Sequence, residues 1–177
     1  MSTLNNQPYQ GASLKKLPTA YISIGGNIDP QRHIDSALER MQQDFSNMVQ
    51  STIFESKAVG FEGDNFLNLV VRFDSHMDVG ELNEYLHALE DDEGRERVNG
   101  KAWDSRTLDL DILLYGDECG VIDGVELPRD EILDHAHVLL PLEELAKELI
   151  HPLTGKTYSQ LLREVDFFGQ EIWPVKP

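Results

Sequence analysis

Apolar positions along the chain follow two alternating periods, and the changeovers mark its elements. Thr19 to Ile24 is a short apolar, β-branched run ending at Gly25-Gly26-Asn27, which reads as a strand and a turn. Ile34, Ala37, Leu38 and Met41 then recur at helical spacing behind Asp29, a candidate cap, and Pro30 at the first helical position. Ser51–Ser56 and Phe66–Phe73 read as a second and third strand, joined by a loop holding Gly60 and Gly63. Asp78 and Glu81 fit a capping box ahead of Val79, Leu82, Tyr85, Leu86 and Leu89, a second helix. Leu108 to Leu114 is a fourth strand. After a turn-rich stretch, Pro141 opens a helix carrying Leu142, Leu145, Ala146 and Leu149, and a last helix holds Tyr158, Leu161, Leu162 and Val165.

Strand, helix, strand, strand, helix, strand is the βαββαβ order of an α+β, ferredoxin-like core, an antiparallel sheet with helices packed on it. Residues 18–168 read as a single domain, preceded by a flexible extension of residues 1–17 and followed by a loosely held tail of residues 169–177 in which Trp173 can dock. The chain has 177 residues, enough for one domain with a sizeable core.

The fourth strand carries the chemistry. Within its apolar run stand two carboxylates, Asp109 and Asp111, at i and i+2. Side chains alternate across a strand, so both share one face with Cα atoms roughly 7 Å apart, while Leu108, Leu110, Ile112 and Leu114 line the other. Two readings stay open: solvated aspartates on a wet face, or a hard-oxygen donor set for Mg²⁺, which takes one or two carboxylates and fills its other positions with water and phosphate oxygens.

Charge sharpens the second reading. The chain has 15 Lys and Arg against 32 Asp and Glu, a formal charge of -17, which argues against nucleic acid as a partner. Yet Arg95, Arg97, Lys101 and Arg106 fall in one short window just upstream of the aspartates. Cations beside a carboxylate pair suit a metal–polyphosphate complex, with arginines taking the phosphate oxygens in pairs. The lone Cys119 excludes an internal disulfide, and no run is long and apolar enough for a signal peptide or a membrane span. The expectation is a cytoplasmic protein.

Trp103-Asp104-Ser105-Arg106-Thr107-Leu108-Asp109-Leu110-Asp111-Ile112 resembles the signature of the 6-hydroxymethyl-7,8-dihydropterin pyrophosphokinase family, usually R-W-G-P-R-T-L-D-L-D-I, with Asp104-Ser105 in place of Gly-Pro. The likeness extends from residue 18 to about 165 and implies the same core with extra C-terminal helices. It implies transfer of pyrophosphate from ATP to the pterin hydroxymethyl group, with two Mg²⁺ on Asp109 and Asp111, and small-molecule partners bound by a monomer. By motif position it implies phosphate contacts from Arg95 and Arg106, ATP contacts from Arg97, Ile112 and Arg129, and pterin contacts from Ser56, Val59, Phe66, Asn68, Trp103 and His137. The competing reading is a catalytically silent paralogue that binds a pterin or nucleotide.

This sequence departs from the family downstream. Arg129 and Asp130 stand where histidine and an aromatic often follow the proline, His135 where an arginine stands, and His137 where a phenylalanine stands. An imidazole at 137 titrates near neutrality in its ordinary state, so pterin affinity is expected to vary between about pH 5.5 and 7.5. The Gly25-Gly26-Asn27 turn is similar to the family's I-G-S-N turn but lacks the glycine spacing and lysine of a phosphate cradle, and reads as a turn.

Overall fold

The computed structural model describes residues 16–58, 63–94 and 106–176. Its first strand, β1 (Thr19–Gly26), lies between β4 (Phe66–Asp74) and β5 (Asp109–Tyr115), antiparallel to both. The second strand is split: β2 (Ser46–Gln50) and β3 (Phe54–Ser56) pair with opposite ends of β4. The expected single strand over residues 51–56 is therefore corrected. Ser51 explains the break, because its hydroxyl accepts the Val70 amide and its own N–H bonds the Val70 carbonyl, replacing ladder pairing at that point. The order fourth, first, third, second strand matches the expected ferredoxin-like core.

Helices α1 (Pro30–Asp44) and α2 (Val79–Asp92) cover one face, where Ile34, Ala37, Met41, Leu82, Leu86 and Leu89 pack on Ile22, Ile24, Leu69, Val71, Leu110 and Ile112. The capping box of α2 is present, Asp78 accepting the Glu81 amide and Glu81 the Asp78 amide. Asp29 sits at the start of α1 with a left-handed backbone and makes no side-chain cap; Pro30 alone has its expected place.

Downstream, β6 (Gly120–Ile122) and β7 (Val125–Leu127) form a hairpin where the sequence read as turns. A short α3 (Glu131–Asp134) leads into α4 (Ala136–Ala146), and α5 (Tyr158–Glu164) follows. Pro141 does not open α4 but lies inside it, and Leu149 falls beyond its end. Burial of Ala136, Val138, Leu139 and Leu142 outweighs the amide that Pro141 cannot supply. Helices α4 and α5 cover part of the second face, over Tyr21, Val70, Leu113 and Leu114.

Leu114 was expected opposite the aspartates. A register shift between Tyr21 and Ile22 places one extra residue in β5, so Leu113 and Leu114 both join the second cluster and Tyr115 turns into the first. One inserted residue inverts a period of two from that point on.

The tail is held more firmly than expected, and Trp173 docks as its side chain allowed. β8 (Ile172–Pro174) pairs with β3, Trp173 donates its indole N–H to Glu55 at 3.1 Å, and Gln170 accepts the Ala136 amide at the start of α4.

Candidate active site

Among the described residues, helices cover the second face of the sheet toward the end holding Tyr21, Val70, Leu113 and Leu114, and polar residues gather toward the other. Paired residues on antiparallel strands share a face, so the register Asp109–Gly25–Asn68 sets a carboxylate and an amide either side of a residue with no side chain. The Asn68 side chain leans over that residue, its Oδ1 3.4 Å from where a Cβ on Gly25 would stand. Asp111 and Ser23 make the next row, and Phe66, two residues from Asn68, lies on the same face.

The carboxylates arrive as expected, side by side on β5, and each has an arginine. Arg106 pairs with Asp109, three residues on. Arg129 pairs with Asp111 at 3.0 Å, and also with Glu131. Arg129 reaches this position because its amide donates to the Leu113 carbonyl at 3.0 Å, which lays residues 128–130 along the outer edge of β5. Burial and then the neighbouring Asp109 charge push the Asp111 carboxyl up to about 7, against the opposing pull of Arg129. Neutralising this charge with a cation is therefore favourable.

Among the described residues no group of three or more His, Cys, Asp or Glu side chains converges as a metal cage. Two largely buried carboxylates on one rigid strand fit Mg²⁺, which accepts such a pair and takes its other ligands from water and phosphates.

On the Asn68 side of this row, Asn68 donates to the Ser56 hydroxyl at 3.0 Å, and both side chains are buried. Phe66 pairs in register with Ser56, so the expected residues Ser56, Phe66 and Asn68 are brought together. His137 stands at the start of α4, stacked on His135 with ring centres 5.0 Å apart. Burial and then His135 hold its imidazole down to about 4, although Asp109 pulls the other way. The expected titration between pH 5.5 and 7.5 is thus corrected: His137 remains neutral through that window. The side chain of Ile112 is packed in the α1/α2 core, on the face opposite the carboxylates. Val59, Arg95, Arg97, Lys101 and Trp103 lie outside the described residues.

Three further residues belong to the site's frame. Glu90 on α2 is fully buried and accepts the amide of Leu110, the residue between the aspartates, at 2.7 Å. Its signal was in the sequence, since it lies four residues after Leu86 on the apolar stripe, where a carboxylate needs partners. Glu131 holds Arg129 from the other side, and nothing local marks it. Asn27 ends the turn after β1, and its side-chain oxygen accepts the Arg106 amide at 2.7 Å.

Residues 21–147 match the model of the family described as 7,8-dihydro-6-hydroxymethylpterin-pyrophosphokinase. The 2-amino-4-hydroxy-6-hydroxymethyldihydropteridine pyrophosphokinase of Haemophilus influenzae is 32% identical over 152 residues, covering 83% of this chain and 90% of that protein. Its namesake from Synechocystis is 32% identical over 161 residues, 89% of this chain and 80% of the relative. That of Aquifex aeolicus is 32% identical over 151 residues, 84% and 92% respectively.

Proposed function

The chain belongs to the 7,8-dihydro-6-hydroxymethylpterin-pyrophosphokinase family, and we propose that it transfers pyrophosphate from ATP to 6-hydroxymethyl-7,8-dihydropterin, a step of folate biosynthesis. The hydroxymethyl oxygen forms a bond to the β-phosphorus as the bond from that phosphorus to the AMP oxygen breaks. The observation that carries this reading is the carboxylate pair of Asp109 and Asp111 on one strand face, each beside an arginine.

Bound there, Mg²⁺ supplies Lewis-acid polarisation of the phosphate oxygens and a template for in-line attack. Asp109 and Asp111 are its proposed protein ligands, and two ions are the expected number. Arg106 and Arg129, released from the carboxylates, turn to phosphate oxygens and take up charge that develops on transfer. Asn68 and Ser56 offer hydrogen-bonding groups to the pterin edge, and Phe66 and the neutral ring of His137 offer flat faces to its rings. By motif position, Arg95 and Arg97 are proposed for the phosphates, and Trp103 and Val59 for the pterin side.

The proposed protein is a cytoplasmic monomer that does not bind nucleic acid; a net charge of -17 supports the last point. Among the described residues no helix is long and apolar enough to cross a membrane. A silent binding module is not favoured, since binding alone does not require the carboxylate pair. The deciding assay follows AMP release from ATP and Mg²⁺ with and without 6-hydroxymethyl-7,8-dihydropterin. Release that depends on the pterin is expected; none, or release indifferent to it, overturns the reading.

A further inference from the structure

The turn Gly25-Gly26-Asn27 follows β1, and its asparagine is 4% exposed and held by contacts on two sides. On one side, Asn27 Oδ1 accepts the Arg106 amide at 2.7 Å, while the Asn27 and Ile28 amides both donate to the Arg106 carbonyl, at 2.9 and 3.1 Å. The peptide groups on both sides of Arg106 are thereby clamped. On the other side, Asn27 Nδ2 donates to the backbone carbonyl of Asp64 at 3.3 Å. Asp64 lies two residues before Phe66, in the segment that leads into the pterin-side end of β4.

We infer that Asn27 is a positioning residue for the reaction, its one buried amide setting the phosphate-side Arg106 and the pterin-side segment of Asp64 relative to each other. This rests on the function proposed above. The carboxamide suits the task because it is the smallest side chain that presents an acceptor and a donor in two diverging directions from a rigid plane. Gly26 makes the approach possible, since a Cβ there would meet the Thr107 carbonyl oxygen at 2.5 Å. The contacts join residues 79 and 37 positions apart, so they fix the relative placement of segments that no local rule connects.

The two halves of the amide can be separated. Asn27→Asp keeps an acceptor for the Arg106 amide but turns an acceptor against the Asp64 carbonyl. Asn27→Ala removes both. Loss of one such bond is worth about tenfold. In steady-state AMP release, Asn27→Asp is expected to raise the pterin KM about tenfold with kcat within about twofold of the parent, whereas Asn27→Ala raises the pterin KM and also lowers kcat about tenfold. Unchanged pterin KM in Asn27→Asp, or a kcat lowered as much as in Asn27→Ala, overturns the inference. If the aspartate variant fails to fold, the alanine variant decides: parental values for both constants, at parental Tm, overturn it equally. A parent protein that releases no AMP refutes the proposed function instead. Amide hydrogen exchange then still tests the clamp, which requires the Arg106 amide to stay protected in Asn27→Asp and to exchange faster in Asn27→Ala; equal exchange in the two variants refutes it.

Discussion

Arg129 lies 3.0 Å from Asp111, eighteen positions away along the chain, so the second carboxylate of the pair has a countercharge supplied from outside its own strand. That pairing does not relieve the site fully, because burial and Asp109 still raise the Asp111 carboxyl toward neutrality. An acid whose ionised form is disfavoured in the fold is a functional group held at a cost to stability.

Asp109→Asn and Asp111→Asn are accordingly expected to abolish AMP release without lowering Tm. Each removes a proposed metal ligand and one of two repelling charges, and leaves the apolar face of β5 untouched. Near-parental turnover at saturating Mg²⁺ in either variant would show that the pair is not the metal site.

Arg106 is clamped by backbone and pairs with Asp109, so its guanidinium starts close to where phosphate charge develops. Arg106→Ala should lower kcat by roughly a hundredfold or more, the scale for losing a preorganised donor, with a smaller change in the ATP KM. A variant with raised KM and parental kcat would make Arg106 a ground-state anchor.

His137 links the site to acid stability. Its imidazole titrates at about 4 in the fold against 6.5 as a free side chain. Between those values the unfolded chain binds more protons, so stability rises with pH there: it is fully present above about 6.5 and is lost as pH falls toward 4. The loss is on the order of 2–3 kcal/mol. Urea titrations of metal-free protein at pH 7 and pH 4.5 should show His137→Phe losing less stability on acidification than the parent. The same variant should keep pterin affinity, whereas His137→Ala weakens it about tenfold, as expected for a lost stacking face. Calorimetric titration with the pterin and an unreactive ATP analogue reads both; an alanine variant that binds like the parent would reduce His137 to packing.

Gly26 is required by contact, since an added Cβ would press on the Thr107 carbonyl oxygen. Gly26→Ala should cost about 1–3 kcal/mol in urea unfolding, the usual range for overpacking, and should lower kcat by displacing Arg106. Parental stability and turnover would mean the turn yields without consequence.

Much of this protein was legible in its residues because the responsible rules are local. Alternation along β5 put Asp109 and Asp111 on one face, helical spacing located α1 and α2, and the order of elements implied the antiparallel core. The tertiary structure decided what depends on residues distant in sequence or on burial. The extra residue in β5 sends Leu114 to the second face because register is set by the partner strand, here β1. Arg129 reaches Asp111 only because its amide finds the Leu113 carbonyl, and Asn27 clamps Arg106 across 79 positions. Burial, likewise, holds His137 neutral where its type alone implied a switch. Periodicity specifies which side of an element a residue takes; which groups meet there, and in what charge state, follows from how the elements pack.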